Sequence, residues 1–240
     1  DEYRAGRTPN PDVICNREIK FNAFLDHALG LGADRIATGH YARVQCSDAE
    51  CRLLRAGDEN KDQTYFLFML GQHALRHSLF PLFDIDKPAV RAMAAEAGFP
   101  NHEKKDSTGI CFIGERRFRD FLSHYLPASP GDIETSDGRP IGRHQGLMYY
   151  TLGQRHGLQI GGVSEAADEP WYVVGKVLED NRLIVAQGHD NPLLYRSRLT
   201  ACQLHWVGGR SPDSPLRCSA RCRHRQPLQD CTATIADDRL

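Results

Sequence analysis

The sequence predicts an α/β domain built on parallel strands, then a small central domain, then an all-β unit. Three observations carry this. Short apolar strands alternate with amphipathic helices up to about Gly114, proline and glycine crowd the chain from Pro127 to Gly142, and β-branched runs bounded by turn residues follow. At 240 residues with 40% hydrophobic content, the chain exceeds one average domain and can bury a sizeable core. The expected domains are 1–116, 117–194 and 195–240.

Each element has its own signal. Phe21, Phe24, Leu25, Ala28 and Leu29 recur at helical spacing, with Asn16 as the expected cap and Gly30 or Gly32 as the stop. Arg35–Thr38 reads as a short strand ended by Gly39. Asp62 is positioned to start a helix whose Phe66, Met69, Leu70 and Ala74 form one stripe before Leu79-Phe80-Pro81 breaks it. Val90, Met93, Ala94 and Ala97 form another stripe, with Pro88 near its start and Gly98 beyond its end. Phe118, Phe121, Leu122 and Tyr125 make one more helix. Trp171–Leu178 and Arg182–Gln187 flank Glu179-Asp180-Asn181 as a hairpin. Leu199–Val207, Leu216–Arg225 and Cys231–Ile235 read as three further strands, typical of a barrel or sandwich.

Composition narrows the class. No apolar run approaches the roughly 18 residues of a membrane span, and Asp1-Glu2-Tyr3-Arg4 lacks the layout of a signal peptide. A cytoplasmic protein with no membrane partner is expected. Eight cysteines fall well under the density of a disulfide-stapled secreted domain, so the thiols are expected to be mostly free, with any special pair catalytic. The formal net charge of -1 hides an asymmetry: Arg196 to Arg225 holds seven arginines and a single acid, Asp213. Such a block marks either a solvated face or a nucleic-acid contact.

Several residues are candidates for chemistry. Cys15 follows Thr8-Pro9-Asn10-Pro11-Asp12-Val13-Ile14, a proline-fixed loop expected to deliver the thiol to a helix start, where the thiolate is favoured. Asp12 lies three residues earlier and could orient a substrate or move a proton; a small buried cysteine beside a turn-forming Asp12 is the plainer reading. Cys111 sits between Gly109 and Gly114, with Lys104, Lys105, Arg116 and Arg117 supplying a positive field; between Ile110 and Phe112 it also reads as core. Gly39-His40 follows a strand end, where open α/β sheets bind ligands. Lys61-Asp62-Gln63 groups a cation, a carboxylate and an amide, or forms a plain helix cap.

Cys218, Cys222, His224 and Cys231 suggest zinc by spacing, but alternation opposes it. Arg217, Ser219, Arg221, Arg223 and Arg225 would form one face of a strand and Cys218, Ala220 and Cys222 the other, placing the two cysteines roughly 13 Å apart. They are read as core, with no metal. Arginines repeating at roughly 7 Å match the spacing of phosphates along one nucleic-acid strand.

Taken together, TPNPDVICN, ATGHYARV, NKDQTYFL, KKDSTGICFIGERRFRDFL, HQGLMYYTLGQRHGLQIGG and PWYVVGKVLEDNRLIVAQG resemble the tRNA-specific 2-thiouridylases, a branch of the PP-loop ATP pyrophosphatases. The likeness runs in order from Gly6 to about Gln226. It implies a partial PP-loop (adenine nucleotide alpha hydrolase-like) domain, a central domain and an incomplete β-barrel. It further implies ATP-dependent 2-thiolation of the wobble uridine of tRNA, a sulfurtransferase reaction using ATP with Mg2+. Cys111 matches the cysteine that takes sulfur as a persulfide from a sulfur-relay protein or cysteine desulfurase. Cys15 matches the nucleophile that assists sulfur release through a transient disulfide with Cys111. Asn10, Pro11 and Asp12 match the segment that meets the target base, and Gly39 an ATP-contacting glycine. His40, Lys61, Asp62, Gln63, Arg223 and His224 match tRNA-contacting positions. The family's glycine- and serine-rich PP-loop is missing from these residues, so an internal fragment, inactive alone, is expected. The alternatives are another PP-loop ligase or amidotransferase, and a non-catalytic RNA-binding module.

Overall fold

Pro11, whose fixed φ suits a first helical turn, opens α1 (Pro11–Cys15), which continues through a π-helical stretch (Asn16–Ala23) into α2 (Phe24–Gly30). The computed structural model describes residues 1–104, 118–160, 169–236 and 239–240. Asn16, the expected cap, instead lies inside the helical run, buried, with its Nδ2 donating to the Phe66 carbonyl at 3.0 Å. Cys15 is therefore the fifth residue of the run that Pro11 opens rather than a residue just ahead of a helix start. Phe21 leaves helical geometry at φ -105°, ψ 15° and is buried in the core.

The chain divides into two units, Pro11–Thr108 with Thr200–Leu240, and Asp1–Asn10 with Gly109–Leu199. In the former, β1 (Ile36–Ala37) pairs in parallel with β4 (Ser78–Leu79), as an α/β domain requires. Ahead of β4 comes α3 (Gln72–Arg76). Leu25, Leu67 and Leu75 are fully buried and pack with Phe21, Ile36 and Phe80, with Val207 against them. Each such leucine is worth about 2 kcal/mol of burial. α4 (Lys87–Glu96) forms where Pro88 and Gly98 signalled it, and Gly98 takes φ 73° just past its end; Asp86, not singled out by the sequence, caps it by accepting from the Ala89 amide at 2.8 Å.

Several expectations need correction here. Asp62 does not start a helix: a 3-10 turn (Thr64–Phe66) follows it, and its carboxylate is engaged elsewhere. Leu199–Val207 forms no strand. Leu216–Arg225 is a strand only as β9 (Leu216–Ala220), antiparallel to β10 (Gln229–Ala233). With β9 ending at Ala220, the arginines beyond Arg217 do not line one strand face, and Cys222 and Cys231 are exposed rather than core. The sequence also missed β2 (Arg43–Cys46) and β3 (Cys51–Leu54), an antiparallel hairpin in which Cys46 and Cys51 are opposed and bridged by a disulfide. At that pair the expectation of free thiols fails.

The other unit holds α5 (Phe118–Ser123) and a four-stranded sheet in the order β6-β5-β8-β7: β5 (Gly131–Thr135), β6 (Pro140–His144), β7 (Trp171–Val177) and β8 (Arg182–Gln187). The predicted β7–β8 hairpin turns at Asn181, whose φ of 52° suits asparagine. Ile133, Val173, Leu183 and Val185 form its core, all fully buried. His144 is fully buried too; Gly146 N–H donates to its Nδ1 at 3.0 Å and its Nε2 lies 2.9 Å from the Asn181 carbonyl, so the ring is neutral with the proton on Nε2. Burial pushes its pKa down accordingly. Gly131 is required where it stands, because a Cβ there would meet the Asn181 carbonyl at 2.1 Å. No helix among the described residues is long and apolar enough to cross a membrane.

Candidate functional site: a basic cleft

Two segments far apart in sequence meet within the Pro11–Thr108 and Thr200–Leu240 unit. Asp62 is fully buried, and its Oδ1 accepts from Arg221 Nη2 at 3.0 Å across 159 residues of sequence. The same carboxylate accepts from Thr64 Oγ1 at 2.6 Å and from the Ala56 amide at 3.0 Å. A buried charge so surrounded is satisfied, and it fixes Arg221 in turn. Beyond Arg221 the chain folds on itself: Gln226 Oε1 accepts from the Cys222 and Arg223 amides at 2.9 and 3.2 Å, and Tyr65 Oη donates to the Cys222 carbonyl at 3.0 Å.

The result is a cleft of about 530 Å³ lined by Arg55, Lys61, Asp62, Arg221, His224 and Arg225, among others. Four cations face two acids there, Asp62 and Glu59, and both acids are already paired, with Arg221 at 3.0 Å and Arg55 at 3.6 Å. The His224 ring lies 4.7 Å from Phe66 and 5.9 Å from Tyr65. Burial, then Arg225 and Arg221, lower its pKa against the pull of Asp62, so it is a neutral ring beside cations. Among the described residues its Nδ1 is buried with no hydrogen-bond partner. Arg225 holds φ 66°, a conformation uncommon outside glycine, at the rim.

Lys61, Asp62 and His224 thus lie together, with Arg223 adjacent. Gln63 instead clamps Tyr41: its Oε1 accepts from the Tyr41 backbone N–H at 3.0 Å while its own backbone N–H donates to the Tyr41 carbonyl at 2.8 Å. That fixes His40, whose Nδ1 lies 2.6 Å from Thr38 Oγ1 and whose ring is 5.6 Å from Phe21. Burial first and Lys20 second push His40 down to about 4, so it is neutral at physiological pH. Gly39 sits just past the carboxyl end of β1, where, among the described residues, an added Cβ would touch only Leu82, at 3.9 Å. Asp12 and Cys15 share α1 at a spacing of three residues, which makes them surface neighbours; both are half-buried, as are Asn10 and Pro11, and Cys15 is a free thiol. Cys111 lies outside the described residues. Sequence reasoning missed Arg55 as a cleft residue; Arg221 and Arg225 were singled out as phosphate-spaced arginines, but on a strand face that does not form.

An α/β domain with parallel strands, followed by β-rich segments, is the architecture of a HUP domain carrying barrel domains. Family models match in that order: the tRNA methyl transferase HUP domain over residues 1–115, the tRNA methyl transferase PRC-barrel domain over 119–187, and the aminomethyltransferase beta-barrel domain over 196–240. Among relatives, the tRNA-specific 2-thiouridylase MnmA of Nitrosococcus oceani is 60% identical over 234 residues, covering 98% of this chain and 64% of that protein. Its counterpart in Methylococcus capsulatus is 60% identical over 242 residues, covering 100% and 65%, and that of Pseudomonas aeruginosa PAO1 is 59% identical over 230 residues, covering 96% and 61%. The chain belongs to the tRNA-specific 2-thiouridylase family. It spans 61–65% of the length of these relatives.

Proposed function

We propose that this chain is the larger part of an enzyme that replaces O2 of the wobble uridine of tRNA with sulfur. The observation that carries the reading is the cleft, where Lys61 and His224, from opposite ends of the sequence, meet among unequal charge. A surplus of cations beside neutral rings suits a partner rich in phosphates and bases. The model descriptions speak of methyl transfer and the relatives' names of thiolation. Paired cysteine motifs favour sulfur.

On this reading Lys61, Arg223 and His224 bind tRNA with Asp62 and Gln63 holding the segment in shape, and neutral His40 offers a hydrogen bond rather than a charge. Asn10, Pro11 and Asp12 meet the target base. Gly39, open to close approach at a strand end, contacts ATP, held with Mg2+. ATP, when bound, supplies the adenylyl group that makes the uridine O2 a leaving group. Cys111 holds the incoming sulfur as a persulfide, supplied by a cysteine desulfurase or sulfur-relay protein. Cys15 thiolate attacks the Cys111 Sγ, forming the Cys15–Cys111 disulfide and freeing the terminal sulfur for the uridine carbon; an external thiol reductant then restores both thiols. Asp12, one helical turn before Cys15, orients the base or moves a proton. The working domains are 1–116, 117–194 and 195–240, and the compartment is the cytoplasm.

The test is a Cys111→Ala substitution in the protein at the length of its relatives. Nucleoside mass spectrometry of tRNA is expected to show 2-thiouridine reduced below detection; retained thiolation overturns the proposal. A persulfide on Cys111 after incubation with a cysteine desulfurase separates this reading from a PP-loop ligase or a non-catalytic RNA-binding module.

A further inference from the structure

β9 and β10 carry a second cysteine pair in the cross-strand relation that is bridged at Cys46 and Cys51. Cys218 stands directly opposite Cys231, and their Sγ atoms lie 3.6 Å apart as thiols. Opposed residues on antiparallel strands hold their Cβ atoms about 4.5–5.5 Å apart, at or just beyond the roughly 4.5 Å limit of what a disulfide spans. A covalent S–S bond of about 2.05 Å then needs a side-chain rotation and a small closing of the strands. Core packing does not account for the pair, because Cys231 is exposed and Cys218 only half-buried. Metal binding does not account for it either, since among the described residues no group of three ligands surrounds a common point.

We propose that Cys218 and Cys231 form a modification site that low-molecular-weight disulfides oxidise reversibly. The more exposed Cys231 thiolate attacks the small disulfide, breaks its S–S bond and releases one thiolate, leaving a mixed disulfide on Cys231. Cys218 then gives up its proton and attacks Cys231 Sγ, expelling the second small thiolate. Two protein thiols lose two electrons and two protons, and the small disulfide becomes two thiols. The order follows from access, and the hydrogen bond with Cys231, which raises the Cys218 pKa, agrees with it.

The new bond would close a loop whose ends are 13 residues apart, and that loop contains Arg221, Arg223 and His224. Cross-linking its base restricts the opening of the residues that line the cleft. Oxidation state therefore sets how rigidly that wall is held. The claim does not depend on what the cleft binds, because both readouts below are made on the protein alone.

The whole chain is first fully reduced, then titrated with oxidised glutathione and read by peptide mapping and amide hydrogen exchange. A peptide pair linked through Cys218 and Cys231 is expected, with exchange across residues 221–228 slowed on the order of tenfold and restored by dithiothreitol. Cys218→Ser is expected to strand glutathione on Cys231, and Cys231→Ser to slow the reaction at Cys218. The proposal is overturned if no such link forms at ratios that bridge Cys46 and Cys51. It is equally overturned if Cys231 pairs with Cys222 or Cys202, or if the link leaves exchange across 221–228 unchanged.

Discussion

At His40 one side chain converts packing into a pH dependence. Burial beside Phe21, reinforced by the Lys20 charge, takes its pKa from 6.5 to about 4. Between those two values the unfolded chain binds a proton that the folded chain refuses. Stability contributed by the neutral ring is thus whole above about pH 6.5 and is lost as pH falls towards 4, by at most about 3 kcal/mol. NMR titration of the His40 ring is expected to give a midpoint near 4, and a midpoint at or above 6 would refute its burial. Substituting His40→Gln keeps a partner for Thr38 and removes the titration. Its urea midpoint is expected to fall less than that of the parent between about pH 7 and 4.5. Cys15 illustrates the opposite case, because its local sequence was misread: Pro11, not Asn16, opens the helical run, and Cys15 is the fifth residue of a run that continues into α2.

The elements that matter most are the β9–β10 hairpin and the segment around Asp62, joined by one ion pair. Arg221 is 15% exposed and Asp62 0% exposed, so removing the cation strands a buried carboxylate. Arg221→Met is expected to cost about 3 kcal/mol in urea unfolding, and adding Asp62→Leu to recover most of it. A single-variant cost under about 0.5 kcal/mol would show that Thr64 and the Ala56 amide suffice alone. This pair also explains where the sequence misled. The alternating Arg217, Ser219, Arg221, Arg223 and Arg225 read as a strand face, but the partner that pulls Arg221 out of the strand lies 159 residues away. Local signals were reliable where they decided the outcome: Pro88 and Gly98 fixed α4, and β-branched runs around Asn181 fixed β7 and β8. β5 and β6 were hidden because Gly131 and Pro140, which read as linker punctuation, open the two strands. β2 and β3 show no clean alternation of buried and exposed residues, so no period of two marked them.

At the scale of the molecule, the α/β unit is discontinuous: Thr200–Leu240 packs with Pro11–Thr108. The bonds are specific. Gln72 Nε2 donates to the Val207 carbonyl at 2.6 Å, His205 Nε2 lies 3.2 Å from the Leu70 carbonyl, and Val207 packs on the core around Leu67 and Leu75. Arg221 neutralises Asp62, and His224 covers Phe66. A chain ending at Leu199 would lose all of these together. Asp62 would keep two neutral donors and no cation, and the core would lose one apolar neighbour. The loss of the ion pair alone is worth about 3 kcal/mol, and the exposed carbonyls and apolar surface add to it. Shortening the chain to residues 1–199 is therefore expected to raise amide exchange across residues 56–75 by about a hundredfold or more, while residues 131–135 and 171–187, in the other unit, keep their protection. Unchanged exchange at 56–75 would mean that the tail merely rests on a unit complete without it. Lost protection in both regions would mean that the shortened chain fails as a whole, against the division into separate units.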